Sequence, residues 1–342
     1  MNMKKTVCFG EVLLRLNPEG FLRLLQAEKL CMSFAGAEEN VAVALSNFGL
    51  PSSFVSKLPD NDIGQAAINT IRKFGVDTSQ VRRGGDRIGV YYVEKGAIQR
   101  PSKIIYDRAN SSIATAQPSE YDWDEIFKDA GWFHFTGITP ALSDLAAEAC
   151  LQACRSAKAH DVTVSCDLNF RRKLWDEKKA QSVMRPLMKY VDVCIGNEED
   201  AQKCLGFKPE SDIDAGQTDA KGYHTIFKRM AEEFGFKAVA CTLRESYSAS
   251  HNGWKGLLYD GHDFFESNHY DIFPIVDRIG GGDSFASGLI YALQTGRDSQ
   301  KAVDFAIAAS CLKHSIEGDF NLVSVNEVEA LAAGNATGRI QR

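Results

Sequence analysis

Trp132-Phe133-His134-Phe135 leads to the amphipathic stretch Ser143–Ala159, and that stretch leads to Val162-Thr163-Val164-Ser165-Cys166-Asp167. The two short runs are rich in aromatic and β-branched residues, which suit a pleated, packed surface. The stretch between them carries its apolar residues at helical spacing, with Cys150 and Cys154 on one face. A strand, a helix and a second strand in that order predict a parallel βαβ unit. The rhythm continues outward in both directions. Thr6–Leu14, Ser53–Ser56, Val191–Ile195 and Ala238–Leu243 read as strands. Glu38–Phe48, Ile63–Phe74, Lys178–Lys189, Tyr223–Phe234, Ser284–Leu293 and Ser299–His314 read as helices. The expectation is an α/β protein with a mostly parallel sheet covered on both faces.

Two places break the rhythm. Phe21–Phe34 and Ile88–Tyr106 read as further strands with no helix between them, the second as Val90-Tyr91-Tyr92-Val93 and Lys103-Ile104-Ile105-Tyr106 around a polar turn. Segments 12–35 and 86–112 are expected to build one small sheet that lies as a lid over a domain spanning 1–330. The polar segment 206–222 reads as a surface insertion, and 331–342 as a tail.

Composition narrows the function. With 342 residues, 44% hydrophobic and 25% charged, the chain has the make-up of a globular protein, not of a disordered, collagenous or coiled-coil one. Its 39 basic and 45 acidic residues leave a net charge of −6, without the basic footprint of a nucleic-acid binder. Apolar runs such as Val41–Leu45 are far shorter than the ~20 residues of a spanning helix. No apolar signal stretch opens the chain, and nine cysteines show neither CxxC pairing nor zinc spacing. These features fit a cytoplasmic protein with reduced thiols.

The sharpest chemical signal is Asp277-Arg278-Ile279-Gly280-Gly281-Gly282-Asp283-Ser284-Phe285. Three glycines before a helix let successive N–H groups turn toward one point, and the helix N-terminus adds positive partial charge there. Such a cradle suits a phosphoryl group gathering negative charge. Asp283, at its end, is placed to accept a hydroxyl proton. A plain helix cap would use the same residue types. The loop is not a Walker A motif, because no Lys follows the glycines. The first strand ends Phe9-Gly10-Glu11-Val12 without GxGxxG, which weighs against a dinucleotide-binding dehydrogenase. The second signal is Phe34-Ala35-Gly36-Ala37-Glu38-Glu39-Asn40, small residues running into a helix. Gly36 permits close approach of a ligand and Asn40 offers hydrogen bonds to hydroxyls. Glu38 and Glu39 read as acidic residues favoured by the helix dipole.

In this order, and about 240 residues apart, the two signals resemble the signatures of the ribokinase-like (PfkB) carbohydrate kinases, over nearly the whole chain. The resemblance implies a three-layer α/β sandwich with a small β-sheet lid, and ATP with Mg²⁺ as cofactors. Asn197-Glu198-Glu199-Asp200 resembles the family's NxxE motif, which holds Mg²⁺ through water, with Asp200 where the family has Glu. Arg278 and Ile279 replace the family's paired threonines, near a loop where the family also takes a monovalent cation. Gly10–Leu16, Gly36–Asn40, Tyr106–Arg108, Gly137–Ser143 and Asp167–Arg171 most resemble the branch of the family that acts on 2-keto-3-deoxygluconate. Independent chemistry agrees. An acid sugar carries a carboxylate, and arginine holds carboxylates through a planar fork; Arg108 and Arg171 are placed for that.

The resemblance also distributes roles. Gly36, Ala37 and Asn40 are expected to line the sugar site, with Tyr91, Tyr106 and Arg108 reaching in from the lid. Asp319 is a further substrate candidate. Arg171 is expected to meet the carboxylate or the phosphates. Asn169, Thr242 and Arg244 are expected beside the nucleotide, and Ala309 on the helix packed against adenine. Gly280, Gly281, Gly282 and Asp283 form the catalytic loop, and Asn197 with Asp200 the water-mediated metal site. The expected reaction is ATP-dependent phosphorylation of the 6-hydroxyl of the acid sugar. A neutral-sugar kinase of fructokinase or ribokinase type and a non-catalytic sugar sensor remain alternatives. The exposed edge and apolar face of a lid favour a homo-oligomer.

Overall fold

The computed structural model describes residues 3–208 and 220–335. Most of the predicted insertion at 206–222, and the tail beyond 335, lie outside the described residues.

The chain starts in β1 (Lys5–Phe9), then enters a second sheet with β2 (Leu13–Asn17) and β3 (Cys31–Ala35). It returns through the helix Ala37–Asn47 to β4 (Ser52–Leu58), and through Asp62–Lys73 to β5 (Val81–Arg83). A hairpin of β6 (Gly89–Glu94) and β7 (Lys103–Asp107) completes the second sheet. Then β8 (Ala130–Thr136), β9 (Thr163–Asp167), β10 (Val193–Ile195) and β11 (Ala238–Ser248) follow, separated by helices that include Asp144–Ala159, Glu177–Met188 and Ala220–Phe234. β12 (His251–Tyr259), β13 (Phe264–Glu266) and β14 (Tyr270–Ile272) precede the helices Gly281–Gln294, Ser299–Lys313 and Val325–Ala332.

The main sheet runs β13-β12-β11-β10-β9-β8-β1-β4-β5, with β14 also paired to β12. From β11 to β5 every neighbouring pair is parallel. β12, β13 and β14 are antiparallel additions at one edge. The small sheet runs β3-β2-β6-β7. This is the architecture that the resemblance implies: a large, mostly parallel sheet between helices, with a separate four-stranded sheet.

Each face of the main sheet carries its own core. Ala37–Asn47, Asp62–Lys73, Gly281–Gln294, Ser299–Lys313 and Val325–Ala332 cover one face, around Val41, Leu45, Phe285, Leu289 and Phe305. Asp144–Ala159, Glu177–Met188 and Ala220–Phe234 cover the other, around Phe133, Phe135, Cys150, Met184 and Phe227. The helix Asp144–Ala159 buries Ala146, Ala149, Cys150, Ala153, Cys154 and Ala157. That small-residue stripe lets its backbone lie close to the strands. It begins where Ser143 Oγ accepts the Ala146 N–H at 3.1 Å, a cap worth ~1 kcal/mol.

Three sequence expectations change. The run Thr6–Leu14 is two strands, because the chain leaves the main sheet after Phe9 and joins the small one at Leu13. Phe21–Phe34 is strand only from Cys31; Phe21, Leu22 and Leu25 lie in turns and are exposed. The long antiparallel hairpin β11–β12 has no counterpart in the sequence reading, since only Ala238–Leu243 reads as apolar. The nine cysteines are free thiols; seven are buried, Cys311 is half-buried and Cys31 is exposed.

Candidate active site

The chain runs from β1 outward to β4 in one direction, and through β8, β9, β10 and β11 in the other. In open parallel sheets ligands sit beyond the strands' carboxyl ends, where the order diverges in this way. The site lies there: a cavity of about 530 Å³ is lined by Glu11 after β1, Ile138 after β8, Asp167 at the end of β9, Gly196 after β10 and Thr242 on β11.

Two helix starts face each other across it. Gly36 precedes the helix Ala37–Asn47, and a Cβ there would lie 2.0 Å from the Glu11 carbonyl oxygen. Only glycine lets the helix start pass so close to that strand end. Opposite, Gly280 precedes the helix Gly281–Gln294 with φ +82°, in the left-handed region, and a Cβ on it would lie 2.1 Å from the Asp319 carbonyl oxygen. At Gly282 a Cβ would meet nothing within 4 Å. The third glycine therefore opens onto free space at the N-terminus of a fourteen-residue helix, where an anion fits.

Asp283 sits in the first turn of that helix, and Asn40 Nδ2 donates to its Oδ2 at 2.6 Å. The two sequence signals thus meet across 243 positions of chain. Burial pushes the Asp283 carboxyl up to about 7, aided by the charges of Asp319 and Glu38 and opposed by Asn40 and Arg171. Glu38 is not a solvated helix-dipole residue. It is 1% exposed, and its Oε1 accepts from the Thr136 N–H and from the hydroxyls of Thr136 and Thr139, at 2.7 to 2.9 Å. Burial raises its pKa too. It ties the helix Ala37–Asn47 to the end of β8 and so helps place Asn40.

The small sheet forms the roof. Tyr91 and Tyr106 stack at 6.0 Å between centroids, and the Arg108 guanidinium lies 5.2 Å over the Tyr106 ring. Arg108 is already engaged: its Nε donates to Glu11 Oε2 at 2.8 Å, its Nη2 reaches the same oxygen, and Ser111 Oγ donates to Glu11 Oε1. Nη1 takes no part in that pair. Arg171 is exposed, with Nη1 donating to the Phe170 carbonyl at 3.2 Å.

The far wall gathers carboxylates. Asp167 ends β9, and burial, with Asp200 and Asp283 nearby, holds its pKa well above the usual range. Asp200 accepts the Phe170 N–H at 2.9 Å through Oδ1 and the Asn197 N–H at 3.2 Å through Oδ2, while Asn197 Oδ1 accepts the Asp200 N–H at 2.9 Å. Asp for Glu at this position thus makes a capping box that pins two strand-end loops together. Among the described residues no group of three or more His, Cys, Asp and Glu is placed to hold a metal. Asn197 and Asp200 would therefore serve Mg²⁺ only through water, for an ion that takes most of its ligands from phosphate and water. Each Asp200 oxygen keeps a second lone pair for a metal-bound water.

Every sequence-predicted site residue except Ala309 lines this cavity. Ala309 is fully buried where Ser299–Lys313 packs on Gly281–Gln294, 3.3 Å from the position of a Cβ on Gly288. It is a core residue with no open face. Asp319 and Tyr91 reach the cavity wall, but their polar atoms serve each other: Tyr91 Oη donates to Asp319 Oδ2 at 2.7 Å, and Arg15 Nη1 bonds Asp319 Oδ1. Sequence reasoning missed Arg15, Glu11 and Asp167. Asp167 carried a signal, a carboxylate at the end of a predicted strand. Glu11 and Arg15 lay only within the family-like stretch Gly10–Leu16, with no local sign of their roles, because their partners are 97 to 304 positions away.

A parallel sheet diverging over a glycine cradle, with a carboxylate of raised pKa beside it, is an arrangement that suits transfer of a phosphoryl group. The sequence pattern of the pfkB family of carbohydrate kinases matches residues 3–233 and 257–321. The chain belongs to that family and is a carbohydrate kinase. It is 35% identical to a 2-dehydro-3-deoxygalactonokinase of Haloferax volcanii, over 97% of this chain and 98% of the relative. It is 27% identical to a 2-dehydro-3-deoxygluconokinase of Thermoproteus tenax, over 96% and 94%. The crystal structure of a 2-dehydro-3-deoxygluconokinase from Thermotoga maritima superposes with a TM-score of 0.93 at 48% identity, covering 97% of this chain and all of that one. No helix among the described residues is long and apolar enough to cross a membrane.

Proposed function

We propose that this kinase transfers the γ-phosphoryl group of ATP to the 6-hydroxyl of 2-keto-3-deoxygluconate or its galactonate epimer, giving the 6-phosphate. The observation that carries the reading is Asp283, held by Asn40 at the mouth of a three-glycine cradle, where burial pushes its carboxyl up to about 7. The names of the relatives at 27 to 48% identity over nearly the full chain support the substrate class.

Asp283 accepts the hydroxyl proton as the oxygen attacks. The N–H groups of Gly280 to Asp283 stabilise charge building on the transferred group. Phosphoryl transfer asks for alignment and charge stabilisation more than covalent chemistry. Asn197 and Asp200 would hold Mg²⁺ through water, and the ion would supply neutralisation of the phosphate charge. Thr242 and Arg244 flank the nucleotide, Arg244 lying 4.9 Å over the Trp254 ring, with Asn169 near it. Arg108 and Arg171 take the sugar's carboxylate. Glu11 and Tyr106 fix the plane of the Arg108 fork, which lowers the entropic cost of binding the substrate. The small sheet acts as the lid that excludes water, because an open site would hydrolyse ATP.

Arg108→Ala is expected to raise KM for the acid sugar far more than KM for ATP; equal increases would contradict the carboxylate contact. The site of transfer is read directly by phosphorus NMR of the product: coupling to the C6 methylene protons supports the reading, and a phosphate on any other carbon overturns it.

The same sheet suggests how the chain assembles. β3 is an edge strand of the small sheet, and Phe21, Leu22, Leu25 (94% exposed), Leu30 and Met32 are exposed on or beside it. A second copy paired there covers both the open edge and the apolar side chains. Sedimentation is expected to give a dimer or larger for the native chain and a smaller species for Leu25→Glu. A native monomer at high concentration contradicts it.

A further inference from the structure

Lys313 is the last residue of the helix Ser299–Lys313, and it is fully buried. A buried ammonium is costly unless oxygens surround it. Its Nζ donates to the carbonyl oxygens of Asp277, at 3.3 Å, and of Ile316, at 3.2 Å. Both partners are main-chain carbonyls rather than carboxylates.

These two carbonyls belong to the two loops that shape the cradle. Asp277 opens the loop to Gly280. Ile316 opens the turn to Asp319, whose carbonyl fills the space left by the missing Gly280 side chain. The loops are stitched elsewhere too: Gly318 N–H donates to Asp277 Oδ2 at 3.2 Å, and Val276 N–H to the His314 carbonyl at 2.9 Å. Burial works against the Lys313 charge and lowers its pKa; the nearby Arg15 works the same way, while Asp277, Asp319 and Asp283 favour the charged form. A positive charge bonded by one main-chain oxygen from each of two loops, with carboxylates near it, stands where a monovalent cation would use the same carbonyls.

The family resemblance implies a monovalent cation near this loop. The residues present do not fit one there, because the Lys313 ammonium already uses the carbonyls. We propose that Lys313 is a positioning residue that carries the charge of such a cation in covalent form. It holds the Asp277 and Ile316 loops together, and with them the anion cradle, so the protein needs no added monovalent cation. The proposal rests on the reading of Gly280–Asp283 as that cradle.

The test uses two readouts. Thermal midpoints and turnover are measured in tetramethylammonium, sodium, potassium and ammonium chloride at one ionic strength. Native protein is expected to show the same midpoint and the same kcat in all four; a kcat or midpoint that climbs specifically with potassium overturns the proposal. Lys313→Ala leaves a vacant pocket. Its kcat is expected to fall ~10²-fold, the loss typical of a preorganised charge or donor, with little change in KM for the sugar. Potassium or ammonium is expected to restore kcat and raise the midpoint, since a ligand bound only by the folded state stabilises it. A folded Lys313→Ala that neither salt rescues overturns the proposal. Should that variant not fold, Lys313→Met fills the volume without the charge: the same kcat loss without rescue is expected, and full kcat overturns the proposal. The midpoint profile is independent of turnover. Absence of turnover in every salt therefore counts against the proposed function, while potassium-dependent native protein counts against Lys313.

Discussion

Asp283→Asn is expected to lose ~10² to 10⁴ in kcat while the protein becomes more stable at neutral and alkaline pH. The two effects share one cause. Asn40 and the cradle hold Asp283 where burial pushes its carboxyl up to about 7, against ~3.9 in an unfolded chain. The folded-state pKa is raised, so the group's contribution to stability is fully present below pH ~4 and is lost as pH rises through about 7. Asparagine does not ionise. The midpoint difference between variant and native protein should therefore widen from pH 4 to 7 and level off above it. A site that destabilises its own folded state to keep a base poised follows the usual exchange of stability for activity. Native kcat/KM has the opposite dependence: it falls as pH drops below about 7, because the base must be ionised to accept a proton. A variant with near-native kcat removes Asp283 from the role of base. A midpoint difference that stays flat with pH means that the carboxylate is not held in the buried state described.

The second large effect is expected at Arg15. This residue is 1% exposed and lies on β2 of the small sheet. Its Nη2 donates to Asp277 Oδ2 at 2.8 Å, and its Nη1 bonds Asp319 Oδ1. One guanidinium therefore joins the small sheet to both ends of the glycine loop's support, and Tyr91 completes the cluster through Asp319. Arg15→Ala leaves two buried carboxylates short of a partner. Breaking a buried pair in this way costs about 3–5 kcal/mol, a large share of a typical folding free energy. Denaturant titration should show that loss. It should also show a lower kcat in the protein that remains folded, because Gly280 rests on the Asp319 carbonyl. A loss under about 1 kcal/mol, the range of an exposed ion pair, would mean that the cluster is solvated.

Arg15 also marks the limit of what the chain reveals before it folds. It sits just past the predicted strand Thr6–Leu14, in Leu13-Leu14-Arg15-Leu16, and its partners are 262 and 304 positions away. Nothing local links them. Lys313 is similar: it ends a helix, where basic residues are commonplace, and only the fold turns it inward. The glycine loop and Asn40 were legible because their chemistry is local: three glycines, a carboxylate and a helix start need no partner to be recognised. The parallel sheet was legible for the same reason, since strand and helix periods repeat along the chain. The small sheet was legible only in part. β6 and β7 are regular strands, but the turns before β3 expose Phe21, Leu22 and Leu25, so their apolar pattern mimics a buried strand. Ala309 was placed by resemblance alone, and burial between two helices removes it from the cavity. Arg108 was recognised as a cavity arginine, but its pairing with Glu11 was not, because the glutamate is 97 positions earlier.

The most direct test is a coupled assay for ADP release with Mg-ATP, across 2-keto-3-deoxygluconate, its galactonate epimer, fructose, ribose and no sugar. Turnover is expected only on the two keto-deoxy acids, with only background release when no sugar is present. Turnover on fructose or ribose comparable to that on the acids would contradict it, retiring the carboxylate role of Arg108 and Arg171 while leaving Asp283 and its cradle in place.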